Sequence, residues 1–160
     1  MTDHISALLD QVGLQSRPIE YAIDAGSIKY FADCLMDPDP RYAPSGCGTA
    51  AAHDAIQAPV TFFGSAIGLR GLPAGDPRTM SALDLPLPSG WARLATGDEF
   101  HFHAPLHTGM TLVARERLIN ASEKQGRSGR LIFYSIEKQF STPDGQLILK
   151  RVLHCATREP

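Results

Sequence analysis

Residues 26–42 constrain the fold most tightly. They read G-S-I-K-Y-F-A-D-C-L-M-D-P-D-P-R-Y. Ile28, Phe31, Ala32 and Leu35 recur at i, i+3, i+4 and i+7, a single apolar stripe that predicts a short helix laid on a core. Gly26-Ser27 offers an N-cap. Pro38 and Pro40 forbid continuation past Met36 or Asp37, because each lacks an N–H and clashes with the preceding turn. The expected element is a mostly buried helix that stops in an acidic, proline-stiffened turn, a device that holds a carboxylate at a fixed place beside a core.

The remaining segments predict a sheet for that helix to pack on. Residues 5–13 form a short amphipathic helix ending at Gly13, and residues 18–25 read as a strand feeding the main helix. Residues 43–58 are small and polar, with one helical turn expected near 50–56. An apolar segment spans 60–69, and residues 70–90 hold four prolines and three glycines. A loop of that length in a compact domain is usually a lid, a binding loop or a partner surface. The last seventy residues read as a β-meander. Phe100 and Phe102 share one strand face, with Glu99, His101 and His103 on the other. Leu112, Ala114 and Leu118 face inward with charged residues opposite. Ile132, Tyr134, Ile136 and Phe140 come after a Gly126-Arg127-Ser128-Gly129 turn, and Thr142-Pro143-Asp144-Gly145 makes a hairpin. A helix succeeded by a meander is an α+β pattern in one domain.

Composition narrows the function. The chain has 160 residues, is 43% hydrophobic and 20% charged, and has a net charge of −2, which gives no reason to expect nucleic acid. No apolar run approaches the roughly 18 residues that a membrane helix needs. The first residues carry acids and no basic region of the signal-peptide kind. Cys34, Cys47 and Cys155 are odd in number and unpatterned, as expected of reduced thiols in a cytoplasm. Charge is uneven: five Lys/Arg against ten Asp/Glu in residues 1–90, ten against seven in 91–160. The basic half is either a set of solvated strand faces or a rim for phosphates.

Two segments carry a family resemblance. Asp37-Pro38-Asp39-Pro40-Arg41-Tyr42 resembles the D-x-N-P-x-H segment of MaoC-like enoyl-thioester hydratases and dehydratases. E-K-Q-G-R-S-G-R-L-I-F, residues 123–133, resembles the FAS1-like dehydratase branch of that group. The similarity runs from about residue 21 to residue 158. It implies a hot-dog fold, a curved antiparallel sheet wrapped around one helix, working as a homodimer or as a heterodimer with a catalytic MaoC-like chain. It also implies an acyl-thioester substrate carried on coenzyme A or phosphopantetheine, with no separate cofactor. Exposed sheet edges independently favour pairing between two such domains.

Hydrating an enoyl thioester needs a base for water, an acid for Cα and donors that polarise the carbonyl. In the resembling family an Asp and a His five residues apart hold that water. Here Asp37 takes the Asp position and Asp39 the Asn position, but Tyr42 stands where the family has His. A phenol with a pKa near 10 cannot exchange protons at pH 7 as an imidazole does. Asp37 and Tyr42 are thus a degenerate catalytic pair, or else a turn-former and a packed ring. His53 could fold back to replace the imidazole, or be an exposed loop histidine. The resemblance also implies that Val60, Phe62, Phe63 and Gly64 line the acyl path. Arg127 and Arg130 are candidate phosphate contacts, the alternative being a polar hairpin tip. His101, His103 and His107 lack a completing Cys or carboxylate, so no metal is expected. The chain is expected to be the pocket-shaping half of a hydratase or dehydratase, with a non-catalytic acyl-thioester-binding or dimerisation module as the alternative.

Overall fold

The computed structural model describes residues 4–42, 56–65, 83–127 and 129–160. The elements are α1 (His4–Leu9), β1 (Ile19–Ala22), α2 (Ala25–Leu35), a 3-10 turn at Pro40–Tyr42, α3 (Phe62–Ser65), β2 (Ala92–Phe102), β3 (Thr111–Gly126), β4 (Gly129–Ser141) and β5 (Leu147–Arg158). One antiparallel sheet runs in the order β1-β3-β4-β5-β2, and α2 packs on its inner face. This is the α+β hot-dog arrangement that the resemblance implied.

The strand order corrects the meander. β3, β4 and β5 succeed one another by hairpins, but β2 crosses to the far edge and pairs with β5 from Ala92↔Arg158 to Phe102↔Leu149. The segment before β3 is therefore an edge strand, and its residues are exposed almost throughout.

The central helix stops within a residue of where the prolines require but differs from expectation at its N-cap and in the burial of its last turn. Asp24, not Gly26-Ser27, is the N-cap: its Oδ1 accepts from the Ser27 backbone N–H at 2.8 Å and its Oδ2 from the Ser27 hydroxyl. Ile28 and Ala32 are buried and Phe31 packs on the core, but Leu35 is 48% exposed, so the stripe ends one turn early. At the C-terminus the Met36 N–H donates to the Asp33 carbonyl and the Asp37 N–H to the Ala32 carbonyl. Met36 lies in the left-handed region at φ 53 and ψ 34, closing a Schellman motif without the usual glycine.

Two apolar clusters fill the inner face. One gathers Ile28, Phe62, Phe63, Leu112, Phe140 and Leu149 beneath α2. The other gathers Leu8 of α1 with Leu118, Ile132, Tyr134 and Ile136, flanked by Leu83, Leu85 and Trp91. Between them the expected segregation of charge fails. Glu116 shares the inner face with Ala114 and Leu118 and is 3% exposed. Its carboxylate pairs with Lys138 at 3.0 Å, and Lys138 also donates to the Tyr21 hydroxyl at 3.2 Å. α1 ends at Leu9 rather than at Gly13, which turns at φ +91. β1 is four residues long against the eight expected. The helical turn expected near residues 50–56 lies, but for Ile56, outside the described residues, as does the segment 66–82. Among the described residues no helix is long and apolar enough to cross a membrane.

Candidate functional site

The acidic turn takes its shape from its own side chains. Asp37 is exposed, and its carboxylate accepts from the Asp39 N–H at 3.1 Å. Asp39 accepts from the Arg41 N–H at 2.9 Å and grips the Arg41 guanidinium at 2.6 and 2.9 Å. That side-chain bond holds the Asp39 carboxyl below its ordinary pKa and the Arg41 guanidinium above its own. Arg41 lies 5.7 Å from the Tyr42 ring centroid, and its charge also feels Tyr42 and Asp37. Tyr42 is half-buried and packs on the cluster under α2. Asp37, Asp39 and Tyr42 thus surround one arginine, a charge that spacing alone did not single out. Its signal was present in the D-x-R pattern, which suits a bidentate carboxylate–guanidinium pair. His53 lies outside the described residues.

A groove opens between residues 57–63 and the C-terminal end of β2. Hydrogen bonds from Ala58 N–H to the Leu106 carbonyl (2.8 Å) and from Thr108 N–H to the Ile56 carbonyl (3.0 Å) clip residues 56–58 onto the β2–β3 connection. This fixes the start of α3. Phe62 and Phe63 then point into the core at 1% and 4% exposure, Phe62 edge-on to Phe31 and Phe63 edge-on to Phe140. One cavity of about 310 Å³ is lined by Ala58, Val60, Phe63, Phe102, His103 and Leu106, among others. A second, of about 320 Å³, is lined by Val60, Thr61, Asp98, Phe100 and Phe102. The two share Val60 and Phe102, which makes one largely apolar groove along the sheet edge. Val60 and Phe63 line it, whereas Phe62 is buried beneath. Gly64 lies within α3.

The two arginines stand elsewhere. Arg127 is exposed at the tip of the β3–β4 hairpin. Arg130 is engaged by Glu159, whose Oε2 accepts from its N–H at 3.1 Å and its Nε at 3.4 Å. The backbone bond is the first cause holding the Glu159 carboxyl below its ordinary value. The Arg130 guanidinium also lies 5.3 Å from the Trp91 ring. This end of the sheet neighbours Ala92, whereas the groove neighbours Phe102, ten residues further along β2, about 33 Å at strand rise. The chain does not bring Arg127 and Arg130 to Val60 and Phe63.

On the outer face the Glu99–His101 pair has a third member. His154 on β5 approaches Glu99 at 3.0 Å through Nε2 and the Ser135 hydroxyl at 2.8 Å through Nδ1, while His101 stands 3.6 Å from Glu99. The His154 contact is the first cause holding the Glu99 carboxyl down. A bulge between Ala95 and Gly97 sets this register, and Gly97 lies beside the His154 ring, whose Cδ2 would be in ordinary contact with an added Cβ at 3.4 Å. Among the described residues no group of three His, Cys, Asp or Glu side chains is placed to hold a metal ion.

Comparisons with known proteins converge. Residues 10–151 match the family described as "FAS1-like, dehydratase domain region". The UPF0336 protein of Parafrankia sp. (strain EAN1pec) is 29% identical over 142 residues, covering 88% of this chain and 86% of that protein. Among solved structures, the ChsH1-ChsH2 complex from Mycobacterium tuberculosis superposes with a TM-score of 0.71 at 20% identity, over 100% of this chain and 98% of that one. The C-terminally truncated HadBC (3R-hydroxyacyl-ACP dehydratase) complex from the same organism gives 0.64 at 18% identity, over 92% and 97%.

Proposed function

Because this chain belongs to the FAS1-like dehydratase family, we propose that it is the pocket-shaping subunit of an acyl-thioester hydratase or dehydratase. The assembly interconverts 3-hydroxyacyl and 2-enoyl thioesters on coenzyme A or a carrier protein, in the cytoplasm, and a catalytic hot-dog partner supplies the Asp and His. The observation that carries this reading is Tyr42, standing at the histidine position and half-buried against the core beside the Asp39–Arg41 pair. In hydration a carboxylate takes a proton from water, the water oxygen bonds to C3, and a proton is delivered to Cα. A neutral phenol performs neither proton transfer well at pH 7. This chain's part is then to hold the acyl group along Val60, Phe63 and Phe102 and to keep bulk water from it.

Dimerisation through the edge of β2 fits the reading. β2 offers eleven residues, nearly all exposed, at one sheet edge, an unprotected template for pairing. Antiparallel pairing with a similar strand sets the groove end of one β2 beside the hairpin-tip end of the other. That arrangement would return a partner's basic tip to the groove, where phosphates of the thioester carrier enter. Both superposed structures are complexes by name.

The test is hydration of crotonyl-thioester by the purified chain, monitored by loss of enoyl absorbance, with Asp37→Ala and Tyr42→His in parallel. The wild-type chain alone is expected to be nearly inert, with activity appearing in Tyr42→His. Wild-type activity that disappears in Asp37→Ala would show that this chain's own site is live and would overturn the pocket-shaping role. Silence in all three favours the non-catalytic binding module.

A further inference from the structure

A row of charged side chains crosses the inner face of the sheet between its two apolar clusters. Glu116 on β3 pairs in register with Lys138 on β4, Lys138 with Arg151 on β5, and Arg151 with Phe100 on β2. Asp98, two residues before Phe100, closes the row by holding Arg151 at 2.5 and 2.8 Å. On either side the same face carries Leu118, Ile136, Phe140 and Leu149. Ions taken out of water in this way gain little stability beyond what packed apolar residues would supply. The row therefore calls for another reason.

Its geometry points to the groove. Side-chain exposure rises along it, from 4% at Glu116 through 17% at Lys138 and 21% at Arg151 to 31% at Asp98. Asp98 is also a wall of the 320 Å³ cavity, among the described residues the one charged side chain in a lining completed by Val60, Thr61, Phe100 and Phe102. Arg151 spends Nε and Nη2 on Asp98 and lies 5.3 Å from the Phe100 ring, while its Nη1 makes no hydrogen bond among the described residues. The pair is neutral as a whole, so it does not select an anion. It sets one acceptor in the cavity wall with one donor bonded to it from outside that lining, the pattern that a hydroxyl satisfies by donating to Asp98 and accepting from Arg151.

We infer that Asp98 and Arg151 form a specificity subsite for a hydroxyl on the substrate's acyl group, remote from the reacting carbons. Neither Asp37 nor Tyr42 lines this cavity, so the subsite is separate from the acidic turn. It selects hydroxylated acyl groups over plain alkyl chains, because only the hydroxyl gains a charge-assisted hydrogen bond to the pair. This inference rests on the thioester reading above.

The experiment measures binding by the full chain of acyl-coenzyme A esters of six, eight and ten carbons, each with and without a terminal hydroxyl, and of coenzyme A alone. In parallel, the Arg151 Nε–H resonance, assigned through Arg151→Lys, is monitored during titration with 1-decanol and 1,10-decanediol. At least one hydroxylated ester is expected to bind about tenfold tighter than its alkyl counterpart, the worth of one charge-assisted hydrogen bond. Asp98→Asn and the double variant Asp98→Asn/Arg151→Gln should reduce that preference to about twofold or less while leaving alkyl-ester binding in place. The diol, and not the monoalcohol, should shift the Arg151 signal. If no thioester binds but the diol shifts that signal, the thioester reading fails and the subsite stands. Equal binding of both ester series, a preference that survives Asp98→Asn, or coenzyme A alone losing affinity in that variant would overturn the subsite, as would an Arg151 signal indifferent to the diol.

Discussion

Met36 is the residue where a single substitution should raise stability. Its φ of 53 and ψ of 34 place an L-residue with a full side chain in the left-handed region, which costs about 1–2 kcal/mol relative to a right-handed conformation. Glycine removes that cost but adds about 0.5–1 kcal/mol of unfolded-chain entropy. The Met36 side chain is 88% exposed, so its removal sacrifices little burial. Met36→Gly is therefore expected to stabilise the fold by about 0.5–1 kcal/mol, or about 1–4 °C in Tm for a chain of this size. Met36→Ala keeps the strained backbone and should stay within about 0.5 kcal/mol of wild type. Thermal and urea unfolding of the three proteins, monitored by circular dichroism, decides it. Equal destabilisation of both variants would refute the reasoning: the Met36 side chain, covered by something, would then matter more than its backbone.

Two further outcomes concern the inner face. Glu116→Ala strands the Lys138 ammonium in a low-dielectric setting and should cost about 3–5 kcal/mol; the double variant Glu116→Ala/Lys138→Met should recover most of this in urea unfolding. Burial is the first cause pushing the Tyr134 phenol up to about 12, and burial also raises the neighbouring Cys155 thiol. Both groups ionise more readily once unfolded, so their stabilisation is complete below the unfolded pKa near 10 for the phenol, and near 9 for the thiol, and fades as pH rises toward the folded values. The urea midpoint should fall between pH 9 and 11 in wild type, and fall less in Tyr134→Phe.

Much of the architecture was legible because local chemistry dictates it. The proline pair ends α2 one residue from where their clash with a helix requires, and the Thr142–Gly145 hairpin closes with the Gly145 N–H donating to the Thr142 carbonyl. The alternation in β4 buries Ile132, Tyr134, Ile136 and Phe140 as a period of two demands. What stayed hidden is non-local. Nothing in residues 98–103 says which strand they pair with, so the crossing of β2 to β5 was out of reach. Glu116 reads as a solvent-facing charge until Lys138 is known to lie opposite it, and His154 gives no sign of Glu99 fifty-five residues earlier. The candidate residues could be named from the sequence, but their places relative to one another could not. Asp37, Asp39 and Tyr42 mark the turn, and Val60 and Phe63 mark the groove. Arg127 and Arg130 lie at the other end of the sheet because register, not spacing, positions them.

The pairing of β2 with β5 also orders events during synthesis. Every β2 residue except Thr96, at the bulge, meets a partner 47 to 66 positions later in the chain, from Phe102↔Leu149 to Ala92↔Arg158. The β3–β4 and β4–β5 ladders close over short turns and can form first, because short loops cost the least entropy to close. β2 must wait, unpaired on both sides, until residues 149–158 have left the ribosome. Throughout that interval a partly apolar strand with two open edges is available to any other extended segment, the situation in which nascent chains misassociate. The wall of the groove that bears Asp98, Phe100 and Phe102 is thus the last part of the domain to acquire its shape.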